Sequence, residues 1–310
     1  MMQITLFGPT AVVTDGGSAP ISDLGGVKPR QILEILAANP GAPVTKGRLA
    51  DLLWEGEPPK SYVGTLESYV CVLRRKLGLS PGRKSPLATT SNGYLLDPAA
   101  AVVDLAEFRR LAGVAAKSRP AEGLRVAQKA VAMLGGELLA NESYADWACL
   151  ERKVFKRDAV QACGRAATNA IAVQDFEAAV DMSRLAIGFD PLAEDAWQHL
   201  MRALAASGRG SEAIRAYFEL RTAMVTELGI EPGAVSRALY MEILCDGPAQ
   251  ALNHIGVDHA GADLNKRLNR LRQALEAITG VQAPTLEAPL SEMAARVLAS
   301  GFARQAAEVA

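Results

Sequence analysis

Residues 61–78 read SYVGTLESYVCVLRRKLG, and on a helical period they divide into two unlike faces. Val63, Leu66, Val70, Leu73 and Leu77 recur at steps of three and four. At about 100° per residue they share one side, which must be buried. Nearly opposite lie Gly64, Ser68, Cys71 and Arg75, flanked by Thr65 and Val72. An ordinary solvated face would carry Glu, Lys and Gln there. A face of small residues lets the helix approach another surface closely, and the major groove of DNA is about as wide as a helix. Arg74, Arg75 and Lys76 crowd the last turn. That cluster suits the helix dipole, and it equally suits phosphates. By themselves these features also describe an amphipathic helix with a normal C-terminal charge bias, so the neighbouring segments decide.

The chain has 310 residues, room for two ordinary domains and an extra piece. With 49% hydrophobic and only 22% charged residues it can bury real cores, and aromatics at 5% beside abundant Ala lean towards helix packing. A net charge of −1 rules out a global field for nucleic acid, but the local balance differs. Between Lys60 and Lys84 the cations Lys60, Arg74, Arg75, Lys76, Arg83 and Lys84 face Glu67 alone, an excess of 6 − 1 = +5. A DNA-binding surface needs such a patch. Cys71, Cys149, Cys163 and Cys245 are scattered, with no CxxC spacing, and read as reduced thiols of a cytosolic protein. The opening MMQITLFGP is strand-like, and no apolar run is long enough to span a membrane.

Upstream of the 61–78 helix, residues 3–13 alternate as strand material and break at Gly8-Pro9. Asp15-Gly16-Gly17 is a turn, and a second strand is expected near Ile21, making a small antiparallel sheet. A first helix runs from Pro29 to Asn39, with Pro29 in its early turn and Asn39-Pro40-Gly41 as its stop. Thr45 caps a second helix that carries Lys46 and Arg48 near its start and turns Leu49, Leu52, Leu53 and Trp54 inward. Glu55-Gly56-Glu57-Pro58-Pro59 is an acidic loop. Beyond the 61–78 helix comes a basic loop, Pro81 to Pro86. Leu87 to Asp97 then reads as two short strands around Ser91-Asn92-Gly93. Sheet, helix, helix, loop, helix and hairpin in about 98 residues describe a helix-turn-helix with a C-terminal wing.

RLADLLWEGEPPKSYVGTLESYVCVLRRKLG at 48–78, followed by TTSNGYLL at 89–96, resembles the winged-helix effector domain of OmpR/PhoB-type regulators. It is closer still to the version found in SARP-type transcriptional activators. From Asp104 onward the pattern is all helical, in segments near 104–117, 121–134, 144–172, 176–188, 193–206, 210–228 and 233–244. Phe176-Glu177-Ala178-Ala179 is echoed by Ser211-Glu212-Ala213-Ile214 about 35 residues on, and Asp190-Pro191 by Glu231-Pro232. A period near 34 built of helix pairs is the tetratricopeptide signature. The stretch resembles the bacterial transcriptional activator domain, ELGIEPG at 227–233 most closely. The expected fold is therefore mainly α: an α/β winged helix-turn-helix with small antiparallel sheets over 1–98, then a tetratricopeptide-like all-α domain over 104–246. Residues 247–310 fall outside the resemblance. They carry Leu264, Leu268, Leu271, Leu275 and Ile278 at 4-3-4-3 spacing and a further Ala-rich segment at 290–307. Two heptads are short for a free coiled coil, so helices folded onto the body are expected.

No catalytic constellation appears, and GxxxxGK is absent from the sequence, so no enzyme and no cofactor are expected. With no receiver domain ahead of the winged helix, control by aspartyl phosphorylation is not expected either. His254 and His259 near Asp258 and Asp263 lack the partners of a metal site. His199, close to Trp197, reads as a packing residue.

The resemblance implies roles. Thr65, Ser68, Cys71 and Val72 occupy positions that face base edges or nearby phosphates, and Arg74, Arg75 and Lys76 sit beside DNA backbone. Lys46 and Arg48 are placed to reach a phosphate. Thr90, Ser91, Asn92 and Tyr94 belong to the wing, and Glu55, Gly56, Glu57, Pro58 and Pro59 form the loop that contacts RNA polymerase in related regulators. Leu53, Trp54, Leu66 and Leu73 are assigned to core. Three departures weaken phosphate contact: Val72 and Thr90 stand where relatives often carry a basic residue, and Glu67 where the SARP group often has Gln. The expected partners are double-stranded DNA, RNA polymerase and a second copy on repeated half-sites, with no membrane, in the cytoplasm and at the nucleoid. Two alternatives remain open from sequence: a protein-interaction scaffold whose winged helix no longer binds DNA, and a small-molecule sensor built on the repeat.

Overall fold

β1 (Met2–Thr5) and β2 (Ala11–Thr14) pair antiparallel with Ile4 opposite Val12, as period-two alternation requires. Met2 and Ile4 point inward, Gln3 and Thr5 outward. The computed structural model describes residues 1–14, 17–19, 24–80 and 85–246. β3 (Gly17–Ala19) continues the sheet beyond β2. Ile21, where the sequence led us to expect the second strand, lies outside the described residues. So do Asp15 and Gly16 of the turn, Arg83 and Lys84 of the basic loop, and all of 247–310 with its two histidines and its heptad leucines.

α1 (Val27–Ala38) starts two residues before Pro29, which stays in the first turn where no N–H is required. β4 (Val44–Thr45) leads into α2 (Lys46–Trp54), whose cap is Thr45: its hydroxyl accepts the Arg48 N–H at 3.2 Å. α3 (Tyr62–Lys76) follows. Leu77 is its C-cap, Gly78 (φ +64°) adopts the left-handed conformation, and the Leu79 N–H returns to Arg74 O while the Gly78 N–H returns to Arg75 O. This double closure is why the helix stops at Lys-Leu-Gly. β5 (Leu87–Thr89) and β6 (Gly93–Leu96) form the wing hairpin, and β4 adds to the other edge of β6, giving the order β4-β6-β5. The short β4 carries no alternation long enough to be read from sequence. β7 (Ala101–Val103) pairs parallel to β1 and completes the first sheet in the order β3-β2-β1-β7.

The helical part comprises α4 (Asp104–Ala115), α5 (Pro120–Val131), α6 (Asp146–Ala172), α7 (Phe176–Phe189), α8 (Glu194–Ala206), α9 (Gly210–Leu228) and α10 (Ala234–Asp246). Pro and Asp punctuate it through identifiable contacts. The Trp197 indole donates to Pro191 O at 2.9 Å, and Glu194 of α8 accepts from the Gly233 N–H and the Ser236 hydroxyl. Gly229 (φ +69°) ends α9, and Glu231 pairs with Arg221. ELGIEPG is thus a helix stop followed by the docking point of the next helix. No described helix is long and apolar enough to cross a membrane.

One hydrophobic core joins the winged helix to the start of the helical part within the compact unit Met1–Ile243. Phe7 lies 5.1 Å from Phe155, Phe108 lies 5.5 Å from Phe155, and Phe189 caps the cluster at 5.7 Å. Asp104, the first residue of α4, accepts N–H bonds from Leu6 and Phe7. Its burial raises its pKa although those same bonds pull it down. After α5 the chain returns to β1: the Leu139 N–H donates to Leu6 O and the Gly8 N–H to Glu137 O. Arg152 of α6 holds this loop by donating to the carbonyls of Leu138, Leu139, Glu142 and Ser143.

Candidate nucleic-acid interface

α3 buries Leu66, Val70 and Leu73, and its C-cap Leu77 is buried with them, as the periodicity predicts. Val63 is the exception. It is 41% exposed, because Tyr62 supplies the packing of the first turn instead. Gly64, Ser68, Cys71 and Arg75 all lie on the exposed side, with Lys76 exposed beside them and Thr65 half-buried. The Thr65 and Ser68 hydroxyls donate back to Ser61 O and Gly64 O, at 3.1 and 3.0 Å, which keeps this face low and smooth.

Three of the expected contact residues are engaged within the protein, although Arg74 and Tyr94 still line the cleft between α3 and the wing. Val72 is half-buried against the entry to α1: a Cβ built on Gly25 would stand 2.5 Å from its Cγ1. Tyr94 is buried at 3% exposure, because β4 covers it on the second edge of β6. Burial raises its phenol pKa, while Lys46 and Arg74 pull it down. Arg74 is half-buried and forked onto the wing, with Nε and Nη2 donating to Leu87 O and Nη2 also to Thr89 Oγ1.

The remaining expected residues surround these. Lys46 reaches across to Glu67 at 2.6 Å, tying the start of α2 to the middle of α3, and this hydrogen bond raises the Lys46 pKa. Arg48 is exposed at the α2 start, and Ser91 and Asn92 are exposed at the wing tip, with Thr90 half-buried beside them. The tip is anchored by the Lys46 N–H donating to Asn92 O at 2.9 Å. Between α3 and the wing runs a cleft of about 430 Å³, lined among others by Lys46, Glu67, Cys71, Arg75 and Thr89. Thr89 is the residue our sequence reasoning missed. Alternation does not mark it, because Leu87, two residues back on the same face of β5, is buried, as is Ala88. Glu55, Gly56, Glu57 and Pro59 are exposed and Pro58 half-buried, in a loop pinned by N–H bonds from Gly56 to Asp51 O and from Glu57 to Trp54 O. Of the four residues assigned to core, Leu53, Leu66 and Leu73 are buried, while Trp54 is half-buried with the Lys28 ammonium 6.0 Å from its ring.

Cys71 is an exposed free thiol, and Cys163 is buried, which pushes its thiol up to about 12. His199 is hydrogen-bonded to Thr168, and burial lowers its pKa. Among the described residues no group of three or more His, Cys, Asp or Glu is placed to hold a metal ion.

Residues 26–96 match the C-terminal domain of transcriptional regulatory proteins, and residues 103–244 match the bacterial transcriptional activator domain. Regulatory protein DnrI of Streptomyces peucetius is 30% identical over 289 residues, covering 85% of this chain and 97% of that one. The chain belongs to the SARP family of transcriptional regulators. A second SARP-type relative, transcriptional regulatory protein EmbR of Mycobacterium tuberculosis, is 32% identical over 279 residues, covering 84% of this chain and 68% of EmbR. The solved structure of EmbR in complex with a low-affinity phosphopeptide superposes with a TM-score of 0.64 at 25% identity, over 90% of this chain and 70% of that one. This SARP-type regulator is thus a DNA-binding transcriptional regulator with an OmpR/PhoB-type winged helix and a helical activator domain.

Proposed function

We propose that this regulator lays α3 in the major groove of double-stranded DNA, with Thr65, Ser68 and Cys71 against base edges and Arg75, Lys76 and Arg48 on phosphates. Ser91, Asn92 and Thr90 of the wing lie along the adjacent backbone. The observation that carries this is the exposed, small-residue face of α3, bounded by cations at its C-terminal end and by the wing beside it. A helix meant for solvent would have no use for that combination.

The exposed acidic loop Glu55–Pro59 touches RNA polymerase, and the protein acts as an activator at the nucleoid, in the cytoplasm. With an apolar Val72 turned inward and Lys46 held by Glu67, one copy makes few phosphate contacts, so two copies occupy repeated half-sites. The helical part offers further surface to protein partners, including a groove of about 880 Å³ along α9 lined by Pro191, Leu192, Phe218 and Thr222. Genome-wide mapping of bound DNA, comparing wild type with Arg75→Ala/Lys76→Ala, tests the reading. Discrete peaks sharing a repeated motif and lost in the double variant support it. Absence of peaks with folded protein would overturn it in favour of a protein-binding winged helix.

A further inference from the structure

We infer that Arg74 is a positioning residue that sets the wing against α3, rather than one of the cations that neutralise phosphate. The inference rests on the docking of α3 proposed above. Arg74 leaves α3 in its last turn, and its fork spans to the wing. Nη2 lies 2.7 Å from Leu87 O and 2.8 Å from Thr89 Oγ1, and Nε lies 3.2 Å from Leu87 O. Among the described residues β5 is an edge strand paired only with β6, and no described strand hydrogen-bonds its outer edge. Arg74 supplies the missing donors at Leu87. The opposite edge of the wing is held independently, by β4 and by the Lys46 N–H to Asn92 O.

The two anchors give the cleft between α3 and the wing its width. Lys46 and Glu67 brace it on one side, and the Arg74 fork closes it on the other. Lysine at this position would keep the charge but not the fork, because an ammonium is a point donor and a guanidinium presents a rigid planar set. Arg75, one residue on, is exposed, and among the described residues no side-chain hydrogen bond ties it to the wing. Two adjacent arginines thus divide the work: Arg75 meets the backbone of DNA, and Arg74 decides where the wing stands when it does.

The test uses the full chain and a duplex selected by the wild-type protein from a randomised pool. Affinity is measured across a salt series for wild type, Arg74→Ala, Arg74→Lys, Thr89→Val and Arg75→Ala. Loss of a phosphate contact lowers the slope of log K against log salt by about 0.9. Arg75→Ala is expected to show that drop. Arg74→Ala is expected to weaken binding by about tenfold at every salt, with an unchanged slope. Arg74→Lys is expected to fail to restore affinity, and Thr89→Val to reproduce part of the loss while touching no charge. Hydrogen exchange of the amides of residues 87–96 is expected to quicken in both Arg74 variants while α1 stays protected. A lowered slope in Arg74→Ala, or recovery of affinity in Arg74→Lys, would overturn the inference. If the wild type selects no duplex, the docking reading fails. Exchange in the wing then still decides the positioning role: faster exchange in Arg74→Lys supports it and unchanged exchange overturns it.

Discussion

Gln31 of α1 donates through Nε2 to Glu142 Oε2 at 2.6 Å, across the seam between the winged helix and the helical part. Arg30 grips the same carboxylate, through Nε at 3.1 Å and through Nη2. Behind them Glu34 is fully buried, with Thr10 donating to its Oε1 at 2.6 Å and the Arg30 Nε forming an ion pair with it at 3.4 Å. Two carboxylates therefore share one guanidinium out of water. Burial, aided by Glu142, raises Glu34 to about 7, against the pull of Thr10 and Arg30.

A carboxyl raised on folding binds more protons in the native state than in the unfolded one. Its contribution is intact below the ordinary value of 4.5 and is lost as pH climbs to about 7, so stability falls over that window and then levels off. Asp104, also raised by burial, tilts the curve the same way, whereas His199, lowered by burial, tilts it the other way. Comparison with Glu34→Gln isolates the Glu34 part. Urea unfolding of both proteins between pH 4.5 and 8 is expected to show the wild type losing stability relative to the variant as pH rises. Parallel curves would mean that folding leaves the Glu34 pKa unshifted.

Gly93 is required by a close approach of strands. A Cβ there would stand 2.0 Å from Val44 O and 2.8 Å from Thr45 Cα, both backbone atoms that cannot rotate away. Gly93→Ala must therefore separate β4 from β6, at a cost of about 1–3 kcal/mol for overpacking. A lowered melting temperature with faster exchange in the wing is the expected result, and a melting temperature equal to wild type would contradict the close approach.

Phe155 touches Phe7, Phe108 and Phe189 and lies in the core common to both halves. Phe155→Ala is expected to cost about 3–5 kcal/mol. Because the core is continuous, the loss is expected to appear in a single transition at a lower midpoint. Trp54 reports on the winged helix, and Trp147 and Trp197 on the helical part. Single-tryptophan variants of each kind are expected to melt together, and separate midpoints would show that the halves unfold independently.

Glu67→Gln releases Lys46. The pair is partly exposed, so its loss is expected to change stability by less than about 1 kcal/mol. Affinity for the selected duplex is expected to rise, and the salt slope to steepen by up to about 0.9 as Lys46 gains a phosphate. Weaker binding in this variant would instead indicate that Glu67 itself contacts a base.

Much of the architecture was legible because it repeats locally. The 3.6-residue stripes of α4 to α9, the Thr45 cap, the stop at Gly78 and the wing turn at Ser91-Asn92 each depend on a few neighbouring residues, and the sequence reading located them within two or three positions. The candidate interface was legible only as a face. Which side of α3 is outward follows from periodicity, but which outward residues are free does not. Val72, Arg74 and Tyr94 are taken up by Gly25, Leu87 and β4, partners far from them in the chain or too short to show a pattern.

The residue order by itself determined the helix series, the wing and the small outer face of α3, since these follow from propensity, capping and period within a turn or two of chain. The tertiary structure decided the parallel pairing of β1 with β7, the shared Phe7–Phe108–Phe155 core, the Glu34–Glu142 seam and the fork of Arg74 onto the wing. Those contacts join residues up to more than a hundred positions apart, and a buried charge or a forked guanidinium takes its role from what surrounds it in space, which no local pattern encodes.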